Sequence, residues 1–289
     1  MKIIILIPVY NDWKSASKLL EEINSNIVGL KCLFSVIFVN DASTEQQSIY
    51  SPNLENIHSV QIINIKQNIG HGRCIATGLK YIFENEEFDY AIPMDADGED
   101  RPEEIKNFVE YINYSPENPI VGERIKRSEN LFFKFCYIIH KILTLVFTGH
   151  SIKFGNYTCL PKSTVEKIIN DKSTWSSFSG SLTKVEKDRS TIPSIRGSRY
   201  FGPSKMSFKN LIIHSLSIIS VFKMNVLIRS ILFFFVYMFL IHQKITVITL
   251  IPLILIILLL FLVFLNLKRE NLKELNNSIS NISKVDRIK

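Results

Sequence analysis

Asp95 and Asp97, two carboxylates two residues apart, are the pair in this sequence best placed to hold a hard divalent cation. Carboxylate oxygens suit Mg2+ or Mn2+, which they share with the phosphate oxygens of a ligand. An Asp-Ala-Asp triplet alone is a common acidic turn. Here the apolar run Tyr90-Ala91-Ile92-Pro93-Met94 leads into it. Arg101-Pro102-Glu103-Glu104 follows, with the proline and first-turn acids that open a helix. A metal and phosphate site at a strand end is the stronger reading.

Two further acids, Asp12 and Asp41, also follow apolar runs. Carboxylates there can accept hydrogen bonds from a base N–H or a ribose hydroxyl. The plainer alternatives are helix capping for Asp12 and a turn for Asp41. Gly70 and Gly72 precede a helix and would let backbone approach a ligand, although a plain turn fits them as well. Basic residues gather at Arg124, Lys126 and Arg127, and again at Arg199, Lys205 and Lys209. Arginine meets phosphate oxygens two at a time. Arg199 and Lys205 are assigned to substrate phosphate, and Lys209 and the tail to anionic lipid.

These residues need elements to position them. Residues 2–7, 34–39, 60–65 and 90–94 read as buried strands, and 12–27 and 74–83 as helices. Strands that are nearly all apolar and alternate with helices predict a parallel sheet covered on both faces. Ligands of such sheets collect at the carboxyl ends of the strands, where Asp12, Asp41 and Asp95 fall. Residues 131–148 predict a helix in the core or at a membrane interface, and 207–223 an amphipathic helix beside the membrane.

The chain has 289 residues and a net charge of +7. Its four scattered cysteines form no CxxC pair, which argues against zinc and against a disulfide framework. The first apolar run is too short for a signal peptide and lacks a cleavage site, so a buried strand is expected instead. Residues 224–241 and 245–267 are almost wholly apolar and about twenty residues each, the length that crosses a bilayer. The basic tail after Asn266 would stay inside, and two spans return the chain to its starting side. The expected organisation is a cytosolic domain over 1–206, a juxtamembrane helix over 207–223, a transmembrane hairpin over 224–267 and a basic, partly disordered tail over 268–289. A domain held at a bilayer face makes nucleic acid the weakest partner for the positive charge.

Ile7-Pro8-Val9-Tyr10-Asn11-Asp12, Val39-Asn40-Asp41-Ala42-Ser43, Asn68-x-Gly70-x-Gly72, Met94-Asp95-Ala96-Asp97, Gly122-x-Arg124 and Arg199-Tyr200-Phe201-Gly202-Pro203-Ser204-Lys205-Met206 occur in this order. Together they resemble the family-2 glycosyltransferases of GT-A fold, nearest the dolichyl- or polyprenyl-phosphate sugar synthases, over roughly residues 1–223. The resemblance implies an α/β fold, a mostly parallel sheet with helices on both faces, followed by the hairpin. It implies a nucleoside near Pro8, Tyr10, Asp12 and Asp41, with Gly70 and Ala96 in the donor-binding set. Asp95 and Asp97 would hold the diphosphate through Mg2+ or Mn2+. Glu99 stands near the metal where Gln is frequent and is counted among the metal ligands. Arg124, Arg199, Ser204 and Lys205 match positions that handle donor and acceptor phosphates, and Glu123 replaces a usually small residue.

The sequence has no QxxRW motif of processive members and no clear base motif after Gly155. A sugar hydroxyl acceptor needs a base, whereas a phosphate is already anionic. The expected reaction is inverting transfer of a sugar from a UDP- or GDP-sugar to polyprenyl phosphate, with Asp171, Glu186 or Asp188 as base if the acceptor is a hydroxyl. A surface or capsular glycan acceptor is the first alternative, and a non-catalytic membrane scaffold the second. Homo-oligomerisation is left open.

Overall fold

The protein is described from a computed structural model over residues 1–49, 53–126, 131–202 and 207–289. Strands β1 (Lys2–Val9), β2 (Leu33–Asn40), β3 (Ile57–Ile65) and β4 (Tyr90–Pro93) run parallel, as their continuous apolar sequences predict. Four more strands follow. They are β5 (Ile120–Lys126), β6 (Phe154–Pro161), β7 (Ser190–Ile195) and β8 (Ile282–Arg287). The sheet order is β7-β5-β6-β4-β1-β2-β3-β8. β6 is antiparallel to β4 and β5, and β8 is antiparallel to β3. The strand order reverses beside β1, because β2 lies on one side of it and β4 on the other. Such a reversal opens a crevice at the strands' carboxyl ends.

Side chains alternate across β1 and give the sheet two cores. Ile3, Ile5 and Ile7 pack with helices α1 (Trp13–Asn26) and α3 (Ile105–Ile112). Ile4 and Leu6 pack on the opposite face with α2 (His71–Asn85), α5 (Lys162–Ile169) and α6 (Phe178–Val185). Helix α4 (Leu131–Thr148) lies between β5 and β6 in the chain.

The helical turn after Asp97 is tied to β7 by a buried acid. Glu104 accepts from Ser194 Oγ at 2.7 Å and from the Ile195 N–H at 2.8 Å, and is 6% exposed. Glu104→Ala leaves both donors unanswered in the interior, at about 1–3 kcal/mol for each. Its thermal midpoint is expected to fall by roughly 5–10 °C. Glu104→Gln keeps one acceptor and should lose less than half of that; equal losses in a melting experiment would count against the hydrogen-bond account.

Helices α7 (Phe208–Val221), α8 (Lys223–Ile241) and α9 (Val247–Asn266) follow. By length and composition α8 and α9 are able to cross a membrane, and most of their side chains are exposed. Arg229 of α8 donates to the Val146 carbonyl at 3.0 Å and Asn225 to that of Thr148 at 2.9 Å. Both thereby satisfy carbonyls at the end of α4, where a cation is also favoured by the helix dipole. α4 packs Phe147 against Ile219, Val226 and Val263 and leaves Ile138, Ile139, Ile142, Leu145 and Val146 exposed.

The expected partial disorder of the tail is not what the structure shows. Helix α10 (Leu272–Asn276) buries Leu275 against Ala76 and Trp175, and β8 extends the sheet. Backbone pairing outweighs the polar composition, because an edge strand's ladder needs little apolar surface.

Candidate active site

Asp12 follows β1 and Asp95 follows β4, so both stand at the crevice where strand order reverses. Asp12 occupies the capping position of α1 but makes no side-chain cap. Its carboxylate accepts instead from Ser15 Oγ at 2.6 Å and from Arg199 Nη2 at 3.1 Å. Arg199 pairs through Nη1 with Asp97, so one guanidinium spans two acids from different strand ends.

The turn carrying Asp95 and Asp97 is held from both sides. The Tyr200 N–H donates to the Asp97 carbonyl, and the Gly197 N–H to that of Glu99, both at 2.9 Å. Gly98 has φ +85, and a Cβ there would lie 2.5 Å from the Tyr200 ring. Only glycine satisfies both the backbone and the contact. Arg196 pairs with Glu99, which gives that predicted metal ligand a cationic partner already within the chain.

Three residues outside the predicted set surround Asp95. His71 Nε2 lies 3.2 Å from its carboxylate and 2.8 Å from Asn156 Nδ2, which also reaches Asp95 at 3.3 Å. Asp100, 3% exposed, accepts from the Asp95 N–H at 3.0 Å and has Arg124 at 3.8 Å. His71 sits inside the Gly70-x-Gly72 segment and was within reach of sequence reasoning. Asn156 and Asp100 carried no comparable signal.

The charges are not independent. Burial acts to raise the Asp95 pKa, but His71, Arg124 and Asn156 together outweigh it and hold the carboxyl well below the usual range. Burial and the Asp95 charge push Asp97 up to about 6, against the pull of Arg199. Burial and Asp95 also push Asp100 up to about 7, opposed by Arg124. Burial lowers His71, yet the surrounding acids raise it overall. Crowded carboxylates that hold one another's protons are the condition a divalent cation relieves. Among the described residues no three His, Cys, Asp or Glu side chains converge on one point as a metal cage would. Mg2+ commonly needs only one or two carboxylates, completing its shell with phosphate oxygens and water. Asp95 and Asp97 fit that role.

The other predicted residues are placed as follows. Asp41 is buried and accepts from the N–H groups of Ile69 at 2.7 Å and Gly70 at 3.0 Å, clamping the glycine loop to the end of β2. Its turn role is therefore real. Gly70, at φ +90, precedes α2, and a Cβ there would meet nothing within 4 Å. Pro8 is buried in β1, Tyr10 is exposed just beyond it, and Ala96 is buried between the two acids. Glu123 pairs with Lys153 at 2.8 Å. Asp171 is held by Ser173 and Lys184, and Glu186 by Thr164 and Lys167, so these candidate bases have local structural work. Ser204, Lys205 and Arg127 lie outside the described residues, as does the side chain of Lys126.

The chain is 27% identical over 222 residues to the undecaprenyl-phosphate 4-deoxy-4-formamido-L-arabinose transferase of Salmonella choleraesuis, covering 73% of this chain and 64% of that protein. It thus spans somewhat less than two thirds of that relative's length. Among solved structures it resembles residues 1–349 of S. aureus TarS in complex with UDP-GlcNAc, with a TM-score of 0.53 and 14% identity, covering 97% of this chain and 89% of that one. Glucosyl-3-phosphoglycerate synthase from Mycobacterium tuberculosis, in complex with Mn2+, UDP and glucosyl-3-phosphoglycerate, aligns at a TM-score of 0.54 and 10% identity over 78% of this chain and 79% of that one. At those identities the likeness concerns the GT-A fold alone. Residues 4–164, more than half of the chain, match the description "Glycosyl transferase family 2", and the protein belongs to that family.

Proposed function

We propose that this glycosyltransferase moves a sugar from a UDP- or GDP-sugar to polyprenyl phosphate at the cytosolic face of a membrane, with inversion at the anomeric carbon. The observation that carries the reading is Arg199 lying between Asp97 and Asp12 at the crevice, in a chain that also has two helices long and apolar enough to cross a membrane. The Salmonella relative, named for an undecaprenyl-phosphate acceptor, supports the same acceptor chemistry.

In this reading the nucleoside lies along the ends of β1 and β2, near Pro8, Tyr10, Asp12 and Asp41. Asp95 and Asp97 would hold Mg2+ or Mn2+, which neutralises charge on the diphosphate. His71 and Asn156 orient Asp95, and Arg124 balances Asp100 beneath it. Arg199, with Ser204 and Lys205, receives phosphate oxygens. An acceptor phosphate oxygen forms the new bond to the anomeric carbon as the bond to the nucleoside diphosphate breaks. No proton need be removed from an anionic acceptor. The hairpin α8–α9 crosses the bilayer, and pairing of β8 with β3 supports both flanking segments lying on one side. The exposed apolar face of α4 suits the membrane interface.

Membranes containing the protein, supplied with labelled UDP- and GDP-sugars and undecaprenyl phosphate, should form a labelled lipid that mild acid releases. Label appearing only in glycan would favour the alternative acceptor. No transfer and no nucleotide binding would leave the scaffold reading.

A further inference from the structure

The tail that follows the apolar hairpin reaches the nucleotide end of the sheet through a directed series of hydrogen bonds. Asp286 of β8 accepts from Asn64 Nδ2 at 2.9 Å. Asn64 Oδ1 accepts from Asn40 Nδ2 at 2.8 Å, and Asn40 Oδ1 accepts from the Ser43 N–H at 3.0 Å. Ser43 Oγ in turn accepts from the Asn11 N–H at 3.0 Å. The series therefore crosses β8, β3 and β2 and ends at the loops after β2 and β1.

Those two loops hold the described non-glycine residues with positive φ, Asn11 at 49° and Ala42 at 53°. An L-residue adopts that region at an energetic cost and stays there only if its surroundings hold it. Asn11 is further held by its Oδ1, which accepts from the N–H groups of Thr44 at 2.8 Å and Glu45 at 3.1 Å.

The direction of the series originates at the acid. An ionised carboxylate can only accept, so Asn64 must turn its amide nitrogen to Asp286 and its oxygen to Asn40. Asn40 must then present nitrogen to Asn64 and oxygen to Ser43. Without the carboxylate either amide is free to flip and withdraw the acceptor from Ser43. Asp286 is fixed in its turn by Lys284 at 2.9 Å and by a hydrogen bond with Gln47. The strand that carries it is anchored by the ladder to β3 and by Lys289 Nζ, which donates to the carbonyls of Leu54 and Ile57, each at 2.6 Å.

We propose that Asp286 is a positioning residue of the donor site, setting the Asn11 and Asp41–Ser43 loops for the nucleoside through Asn64 and Asn40. The chain beyond the hairpin is then a working part of the catalytic domain. The inference rests on the nucleotide reading above.

The test uses the full chain in detergent, with UDP and GDP each titrated in the presence of Mn2+ by calorimetry and with thermal midpoints recorded alongside. Asp286→Ala removes the acceptor that fixes both amides and should weaken nucleotide binding about fivefold or more. Adding Asn64→Asp puts a carboxylate that can only accept beside Asn40 Nδ2, which holds Asn40 Oδ1 towards Ser43 again, and should return Kd to within about twofold of wild type. Wild-type Kd in Asp286→Ala, with or without a lower midpoint, overturns the proposal. So does a double variant that binds as weakly as the single one. If the wild-type chain binds neither nucleotide, the nucleotide reading fails and this inference falls with it.

Discussion

Asp95→Ala and Asp97→Ala should each lower sugar transfer by at least about a thousandfold, the scale of losing a group that stabilises the departing charge. Both side chains sit on a turn that other contacts hold. The Asp95 N–H still meets the Asp100 carboxylate, and the Tyr200 N–H still meets the Asp97 carbonyl, since the substituted residue takes part in each through its backbone. The variants should therefore express, insert and melt close to wild type while turnover disappears. Asp95→Ala also frees His71 and Asn156 of their shared carboxylate, so its loss should be the larger. Chelation by EDTA should reproduce the deficit in the wild-type chain, and added Mn2+ should reverse it there but not in the variants. Near-normal turnover in either variant would remove that residue from the metal and diphosphate assignment.

On the proposed reading Arg199→Ala should cost about a hundredfold or more in kcat, because a cation fixed beside the diphosphate would act on charge that grows during bond breaking. The sign of the effect on stability is less one-sided. Removing the guanidinium deprives Asp97 and Asp12 of a shared partner, and burial with the Asp95 charge already drives Asp97 towards the protonated state. Arg199→Lys keeps the charge but loses the planar fork that spans two acids, and should recover only a small part of the activity. A steady-state series over donor concentration separates the outcomes. A loss confined to KM would make Arg199 a ground-state binder, whereas an unchanged kcat/KM would exclude it from the site.

Much of the scaffold was legible because the physics behind it is local. β1, β2 and β4 are covered on both faces, so each is apolar along nearly all its length and is followed by residues that face the crevice, while β3 admits Gln61 and Asn64 within the otherwise apolar run 60–65. The strands β7 and β8 are not legible in the sequence, for the opposite reason. β7, with the sequence STIPSI, is partly exposed, and β8 runs along an edge with polar side chains. Neither has a period that distinguishes it from a loop. The tail's polar composition suggested disorder, although its hydrogen bonds are made to a strand far away in the chain.

What the sequence by itself determined is the family, the α/β sheet, the acids delivered to one edge by successive strand ends, and two helices apolar enough for a bilayer. All of these follow from runs, spacings and short motifs. Which charges meet was decided only by the tertiary structure. It set Arg199 between Asp97 and Asp12, Arg196 on Glu99, and His71 with Asn156 on Asp95. It also returned the tail to β3 and aligned Asp286 with Asn64. Such contacts join residues from 24 positions apart, for His71 and Asp95, to 222 apart, for Asn64 and Asp286, and a short, directional bond between them depends on packing that no local period encodes.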